Sequence, residues 1–341
     1  MRIKIKLLFI ACVSVLSAHG IAIADVKKMP IEVSGLVEIE ASSASPYVGS
    51  SVSDIVLATA ELGLSGQVND QISASITLLY EEDDTDLEVD VAKLTFKPAD
   101  TSWSVTAGQI YVPFGSYDTN MVSDPLTLEI GEARETAIQF DFEMGHFSVA
   151  GYLFNGANKK NNGADDKIDN FGLNLGYAFE GKVNVTANVG YINDIGDSDG
   201  LEGSLTSTNV QDHVAGISLS LMAEMGDVNV IIEYVAARDS FLPGELAFAG
   251  GGAKPKAFNI EAGYSFKFLG KWASVGVGYQ TTDESLALGL PEKRIISSFG
   301  VDVMKNTTVG IEFVRDSDYS VSEGGTGQSA RTVTAQVAVE F

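Results

Sequence analysis

The chain has 341 residues, with 46 Asp and Glu against 22 Lys and Arg, 35 glycines and a single cysteine. Its net charge of −24 excludes nucleic acid as a partner, because the phosphates would be repelled, and one cysteine excludes a disulfide framework. Glycine at about one residue in ten, few helix-length apolar patterns and many short period-two segments point to one large all-β unit rather than two soluble domains.

Residues 1–24 have the marks of a secretory signal. Arg2, Lys4 and Lys6 form the charged start, Leu7 to Leu16 the apolar centre, and Ala22-Ile23-Ala24 the cleavage site before Asp25. Cys12 lies in the apolar centre after Phe9-Ile10-Ala11, a poor lipidation context, so it reads as a small apolar residue. The mature chain, 25–341, then has no thiol, and losing the three signal cations leaves 19 Lys and Arg and a net charge of −27. No later window is long and apolar enough for a spanning helix, so any membrane crossing must be made by strands.

Alternation of polar and apolar residues then predicts sixteen strands. Upward strands begin near Ile31, Ile72, Ser102, His146, Lys182, Asp227, Lys271 and Asn306, and downward ones near Ser53, Asp86, Arg134, Ile168, Val210, Lys256, Glu292 and Ala330. Connections sort into two classes on alternating sides. Short turns include Met144-Gly145, Met225-Gly226 and Leu269-Gly270; long polar loops include residues 155–167, 194–209, 239–255 and 317–329. The final run, Thr332 to Phe341, alternates strictly up to a terminal aromatic, as the closing strand of an outer-membrane barrel does. The expected fold is an all-β, porin-like, antiparallel transmembrane barrel in the outer membrane, with no plug domain before a first strand that starts some six residues past the cleavage site.

Aromatic positions track the strand ends. Tyr80, Tyr111, Tyr152, Tyr191, Tyr234 and Tyr279 fall near the tops of upward strands, and Phe96, Phe142, Phe179, Phe266, Phe268 and Phe341 near the bottoms of downward ones. Trp103 and Trp272 follow inner turns, and two girdles at the membrane interfaces are expected. The same alternation places Glu38, Glu40, Glu61, Glu88, Asp90, Asp141, Glu143, Glu224, Glu233, Glu261, Asp302, Glu312 and Glu340 on the lumen wall, against few cations, chiefly Lys267 and Arg294. A sixteen-stranded barrel encloses an aqueous channel, and a channel lined by carboxylates attracts cations.

The third external connection, residues 113–133, is the longest, and apolar residues are spaced through it. Such a loop is expected to fold into the barrel as a constriction, with Leu126, Leu128 and Ile130 packed on the wall and Asp118, Asp124, Glu129 and Glu132 facing the pore. Arg134 at its root would pair with Glu132 or Glu135. The run Gly108-Gln109-Ile110-Tyr111-Val112-Pro113-Phe114-Gly115, then Thr119 to Glu129 and Gly131-Glu132-Ala133-Arg134-Glu135, resembles the siderophore porin family typified by the legiobactin receptor LbtU. The resemblance implies an outer-membrane barrel that imports ferric siderophore without the plug of energised receptors.

Other chemistry is weakly signalled. Glu81 to Asp86 and the set Asp194, Asp197, Asp199 and Gly200 offer hard oxygens to Ca²⁺, but the first reads as a solvated acidic loop and the second lacks a closing bidentate Glu. His146 and His213 have no Ser or carboxylate constellation of a hydrolase, and Gly250-Gly251-Gly252 precedes no helix and so cradles no phosphate. The reading is a non-enzymatic channel with no cofactor and no metal. Its expected partners are ferric siderophore or a small cationic solute, and outer-membrane lipid and lipopolysaccharide; a homotrimer is the expected assembly. A cation-preferring diffusion porin is the alternative.

Overall fold

The computed structural model describes residues 31–82, 84–160 and 167–341, so the segment read as a secretory signal lies outside it. Sixteen antiparallel strands close into one barrel: β1 (Ile31–Ser45), β2 (Val52–Asn69), β3 (Ile72–Glu81), β4 (Thr85–Phe96), β5 (Trp103–Tyr111), β6 (Arg134–Met144), β7 (Phe147–Phe154), β8 (Asn170–Phe179), β9 (Asn184–Ile192), β10 (Gly216–Met225), β11 (Val228–Ala237), β12 (Lys256–Phe268), β13 (Lys271–Asp283), β14 (Lys293–Met304), β15 (Thr307–Ser317) and β16 (Ser329–Glu340). Neighbours in sequence are neighbours in the barrel, and the ring closes where β1 pairs with β16, from Leu36 opposite Glu340 to Ser45 opposite Arg331. Closure removes every free sheet edge, which a lipid-facing sheet requires because the bilayer core offers no hydrogen-bond partners.

Strand starts fall within two residues of those expected, with one exception. The strand expected near Val210 begins at Gly216, and Asn209–Val210 instead pair in parallel with Lys159–Lys160 above the barrel. Ala215 still accepts from Arg238 N–H, but Val214 turns away to the 194–195 segment, its N–H donating to the Asp194 carboxylate and its carbonyl accepting from Ile195 N–H.

Alternation sorts the side chains as a barrel wall should. On β14 and β15, Ile295 and Phe313 are 58% and 51% exposed toward lipid, while Ile296 and Glu312 are buried on the lumen side. Two expected girdle aromatics turn the other way. Tyr152 lies opposite Gln139 and is buried against Phe154, and Trp272 lies opposite Lys267, whose ammonium sits 5.2 Å from the indole centroid. Their strand phase puts both on the inward face, which their position near a strand end does not reveal.

The largest apolar cluster sits inside the outer half of the barrel rather than between sheets. It joins Phe114, Tyr117, Leu126 and Ile130 of the third connection to Ile192, Ile195, Leu201 and Val214 and to Phe241 and Leu246, residues of two long external loops and the strand ends beside them. These loops therefore form a packed lid over one side of the mouth.

Candidate functional site

The third connection runs from Val112 to Ala133, which are joined by a 3.0 Å backbone bond at its root. Between them the chain leaves the wall and lies against inward-facing side chains of β11 to β15. Glu233 on β11 accepts from the N–H groups of Ser116 (2.7 Å) and Tyr117 (3.2 Å) and from the Thr127 hydroxyl (2.7 Å). Glu261 on β12 accepts from Asn120 N–H (2.6 Å) and the Thr119 hydroxyl (2.9 Å). Glu312 on β15 accepts from Val122 N–H (2.6 Å) and from the N–H and hydroxyl of Ser123. Gln280 on β13 takes Leu126 N–H at 3.1 Å, and Ser298 on β14 donates to the Asn120 carbonyl at 2.7 Å. Five consecutive strands thus hold one segment, chiefly through charge-assisted bonds to its backbone, where irregular chain would otherwise leave N–H groups unpaired.

Space for the segment is cut into the wall by glycine. Gly263 and Gly276 face each other across β12 and β13 on the lumen side, and a Cβ at Gly276 would lie 2.9 Å from the Asn120 carbonyl oxygen. The sequence signal for this was present: inward-phase glycine in a strand interior marks a close approach of another backbone. Leu126 and Ile130 are fully buried, and Leu128 packs partly against the same cluster. Residues Leu128–Gly131 form a single helical turn, over which the external segment 198–203 closes: Ser198 Oγ donates to Ile130 O and Asp199 N–H to Glu132 O.

The expected pore acids separate into two groups. Glu233, Glu261 and Glu312 point into the barrel, but each is at most 1% exposed beneath the loop, so they face the loop rather than the channel. Glu38, Glu40, Glu88 and Asp141 are only partly buried, while Asp90 is buried at a β-bulge between β3 and β4. Of the loop acids, Asp118 accepts from Ser116 Oγ, and the side chains of Asp124 and Glu129 are open to the lumen.

Although lumen water reaches Asp124, the surrounding walls desolvate it. Burial and the carboxylates of Glu129, Glu81, Glu38 and Glu40 push it up to about 7. Burial, with Asp199, Asp124, Asp90 and Glu129 nearby, pushes Glu132 up to about 8. Glu129 is also raised by burial, an effect opposed by Arg294. Carboxylates of the loop and of the β1–β4 side therefore feel one another across the open part of the lumen.

Arg134 does not pair with Glu132 or Glu135 as expected. Its guanidinium reaches across to β4, bonding Glu88 and, at 3.0 Å, Asp90, which also accepts from the Tyr111 hydroxyl. β4 and β5 pair only from Phe96 opposite Val105 to Ala92 opposite Gln109. Above that ladder Tyr111 and Arg134 span the gap, drawn by a buried acid that sequence spacing does not connect to them. Arg294 forms a two-pronged pair with Asp316 at 2.9 and 3.1 Å.

The acidic run at Asp194 to Asp199 belongs to the lid. Asp197 accepts from Asn158 N–H and Asn170 Nδ2, and burial beside Asp194 pushes it up to about 8. His213 is buried with its Nε2 at 3.8 Å from Asp194 Oδ2, too far for a hydrogen bond. Among the described residues no cluster of three or more His, Cys, Asp or Glu is placed to hold a metal, and the 81–86 run is interrupted by Asp83, outside the described residues.

No protein-family model matches the chain. UPF0422 proteins of Legionella pneumophila strains Lens and Philadelphia 1 are each 30% identical to it, over 93% of this chain and 67% of their own length. A UPF0422 protein of Coxiella burnetii is 30% identical over 86% of this chain and 66% of its own. The chain thus spans about two thirds of the length of these relatives. Among solved structures, the anion-selective porin from Comamonas acidovorans superposes with a TM-score of 0.66 over 92% of this chain and 100% of that one. The outer membrane channel DcaP of Acinetobacter baumannii superposes with 0.63 over 91% and 97%. Both are 15% identical to it, so they speak for a shared outer-membrane porin fold.

Proposed function

Since the chain belongs to the UPF0422 family and has the outer-membrane porin fold, we propose that it is a passive, non-enzymatic channel whose constriction is residues 113–133. The observation that carries this reading is the set of bonds from Glu233, Glu261, Gln280 and Glu312 to the segment's backbone, which pin it across one side of the lumen. The open side is then bounded by Asp124, Glu129 and Glu132 on the segment and by Glu38, Glu40 and Glu61 on the wall. Such a passage favours cations and neutral solutes over anions.

For the cargo, ferric siderophore is the specific reading, supported by the resemblance of residues 108–135 to the siderophore porins. Lumen charge restricts it to ferric complexes without excess negative charge. A cation-preferring diffusion porin is the second reading, favoured by the acids on both sides of the passage.

Radio-iron uptake by a strain lacking the gene, with and without its return on a plasmid, separates the two. Uptake of one siderophore class should follow the gene and persist when the energy-coupling complex of the inner membrane is disabled. Equal uptake in both strains would remove siderophore import and leave the diffusion porin. Anion preference in a KCl gradient across a planar bilayer would remove the acid-lined passage itself.

A further inference from the structure

On the outer surface Arg315 and Arg331 stand directly opposite each other across the β15–β16 pair. Both belong to the outward phase: Arg315 follows lipid-facing Phe313 and lies beside Ile295, and Arg331 precedes lipid-facing Val333. Both side chains are exposed, and among the described residues neither guanidinium has a hydrogen bond or ion pair. Like charges directly opposite on one sheet face repel. The chain has 46 acids against 22 cations, so acidic side chains that could have stood opposite either arginine were plentiful.

Depth in the membrane identifies what could compensate. Arg331 is ten residues above Phe341 of the inner girdle. At about 3.3 Å per residue and a tilt of about 40°, that is roughly 25 Å along the normal, the height of the apolar band of such barrels. The pair therefore lies where outer-leaflet headgroups meet the acyl region. Lys293, diagonal to Arg315 through Ile295 on the same face, adds a third cation, already engaged at 2.7 Å by Glu292.

We propose that Arg315 and Arg331 form a site for the phosphate of an outer-leaflet lipid, with Lys293 at its edge and with acyl chains lying along Phe313, Val333 and Ile295. Two guanidinium groups offer phosphate the planar, multidentate donors it prefers. The outward phase and the apolar residues immediately below assign the phosphate to a lipid rather than to a solute in the pore.

The test uses the full, folded barrel in detergent, with bisphosphoryl lipid A as probe and its dephosphorylated form as control, bound lipid being counted by native mass spectrometry. Wild type should retain bisphosphoryl lipid A and bind the dephosphorylated form far more weakly, a comparison that needs no variant. R315Q/R331Q should bind the phosphorylated lipid roughly twenty-five-fold more weakly, at about fivefold per arginine, and R315K/R331K should recover most of the loss. Without lipid, R315Q/R331Q should melt at the wild-type temperature or above, because a repulsion has been removed. Equal binding of the two lipids, or by wild type and R315Q/R331Q, would overturn the proposal. Displacement by millimolar inorganic phosphate would overturn the lipid assignment. A change in oligomer size with lipid binding intact would mark the pair as a contact between copies instead.

Discussion

Inward-facing carboxylates on two sides of the same barrel do different work. On β11, β12 and β15, Glu233, Glu261 and Glu312 are buried, and every one of them accepts N–H bonds from residues 116–123. On β1 and β2, Glu38, Glu40 and Glu61 have the same strand phase, remain partly open and receive no bond from the loop. Chemistry and periodicity are alike, so what separates a structural acid from a lumen acid is the side on which a distant segment comes to rest. The loop's unpaired N–H groups need acceptors, and strands with carboxylates and a glycine gap supply them.

The difference can be tested by removing its cause. Deleting Thr119 to Leu128 should return both sides to the open lumen and raise single-channel conductance several-fold while the heat-modifiable barrel persists; unchanged conductance would place the segment away from the conducting path. Gly276→Val should move conductance in the same direction with the full chain present, because a β-branched side chain would fill the space taken by Asn120.

Single substitutions should then dissociate the two sides. Glu312→Ala or Glu261→Ala leaves buried loop N–H groups without acceptors, at about 1–3 kcal/mol each, and should lower the melting temperature and make the open-channel current noisier. Glu38→Gln and Glu40→Gln should leave melting alone and lower cation preference in reversal-potential measurements. If both sets behaved alike, the distinction between the sides would be lost.

Acidity gives a subtler handle. Asp124 and Glu132 hold protons up to about 7 and about 8, so cation preference should fall as pH is lowered from 9 to 6, and D124N/E132Q should flatten that profile. The sign for stability follows: the folded state keeps these protons in a range where the unfolded chain has released them, so stability declines as pH rises from the ordinary carboxylate range through those values. A profile that steepened below pH 5 and was flat above would assign the effect to other acids. Arg134→Gln leaves the carboxylate of Asp90, buried at the bulge between β3 and β4, short of a partner and should cost about 1–3 kcal/mol. The smallest effect is expected on the lipid face, where Val37→Leu should change neither melting nor selectivity.

Much of this was legible along the chain. Alternation through Ile31–Ile39 and Thr332–Phe341 gives the phase of the wall, and the sorting of short and long connections gives sixteen strands with both ends on one side, because strand periodicity and turn chemistry are local properties. The inward phase of Glu233, Glu261 and Glu312 was equally readable, as were the apolar residues that mark 113–133 as a loop seeking burial. What only the tertiary structure decided is which partners these groups find. Glu312 meets Val122 across 190 residues, Arg134 meets Asp90 through a gap where β4 and β5 part, and Val210 leaves the barrel for a pairing with Lys160. Those contacts depend on how a closed ring brings remote strands around one lumen, and a period-two pattern fixes the face of each residue but not what stands opposite it.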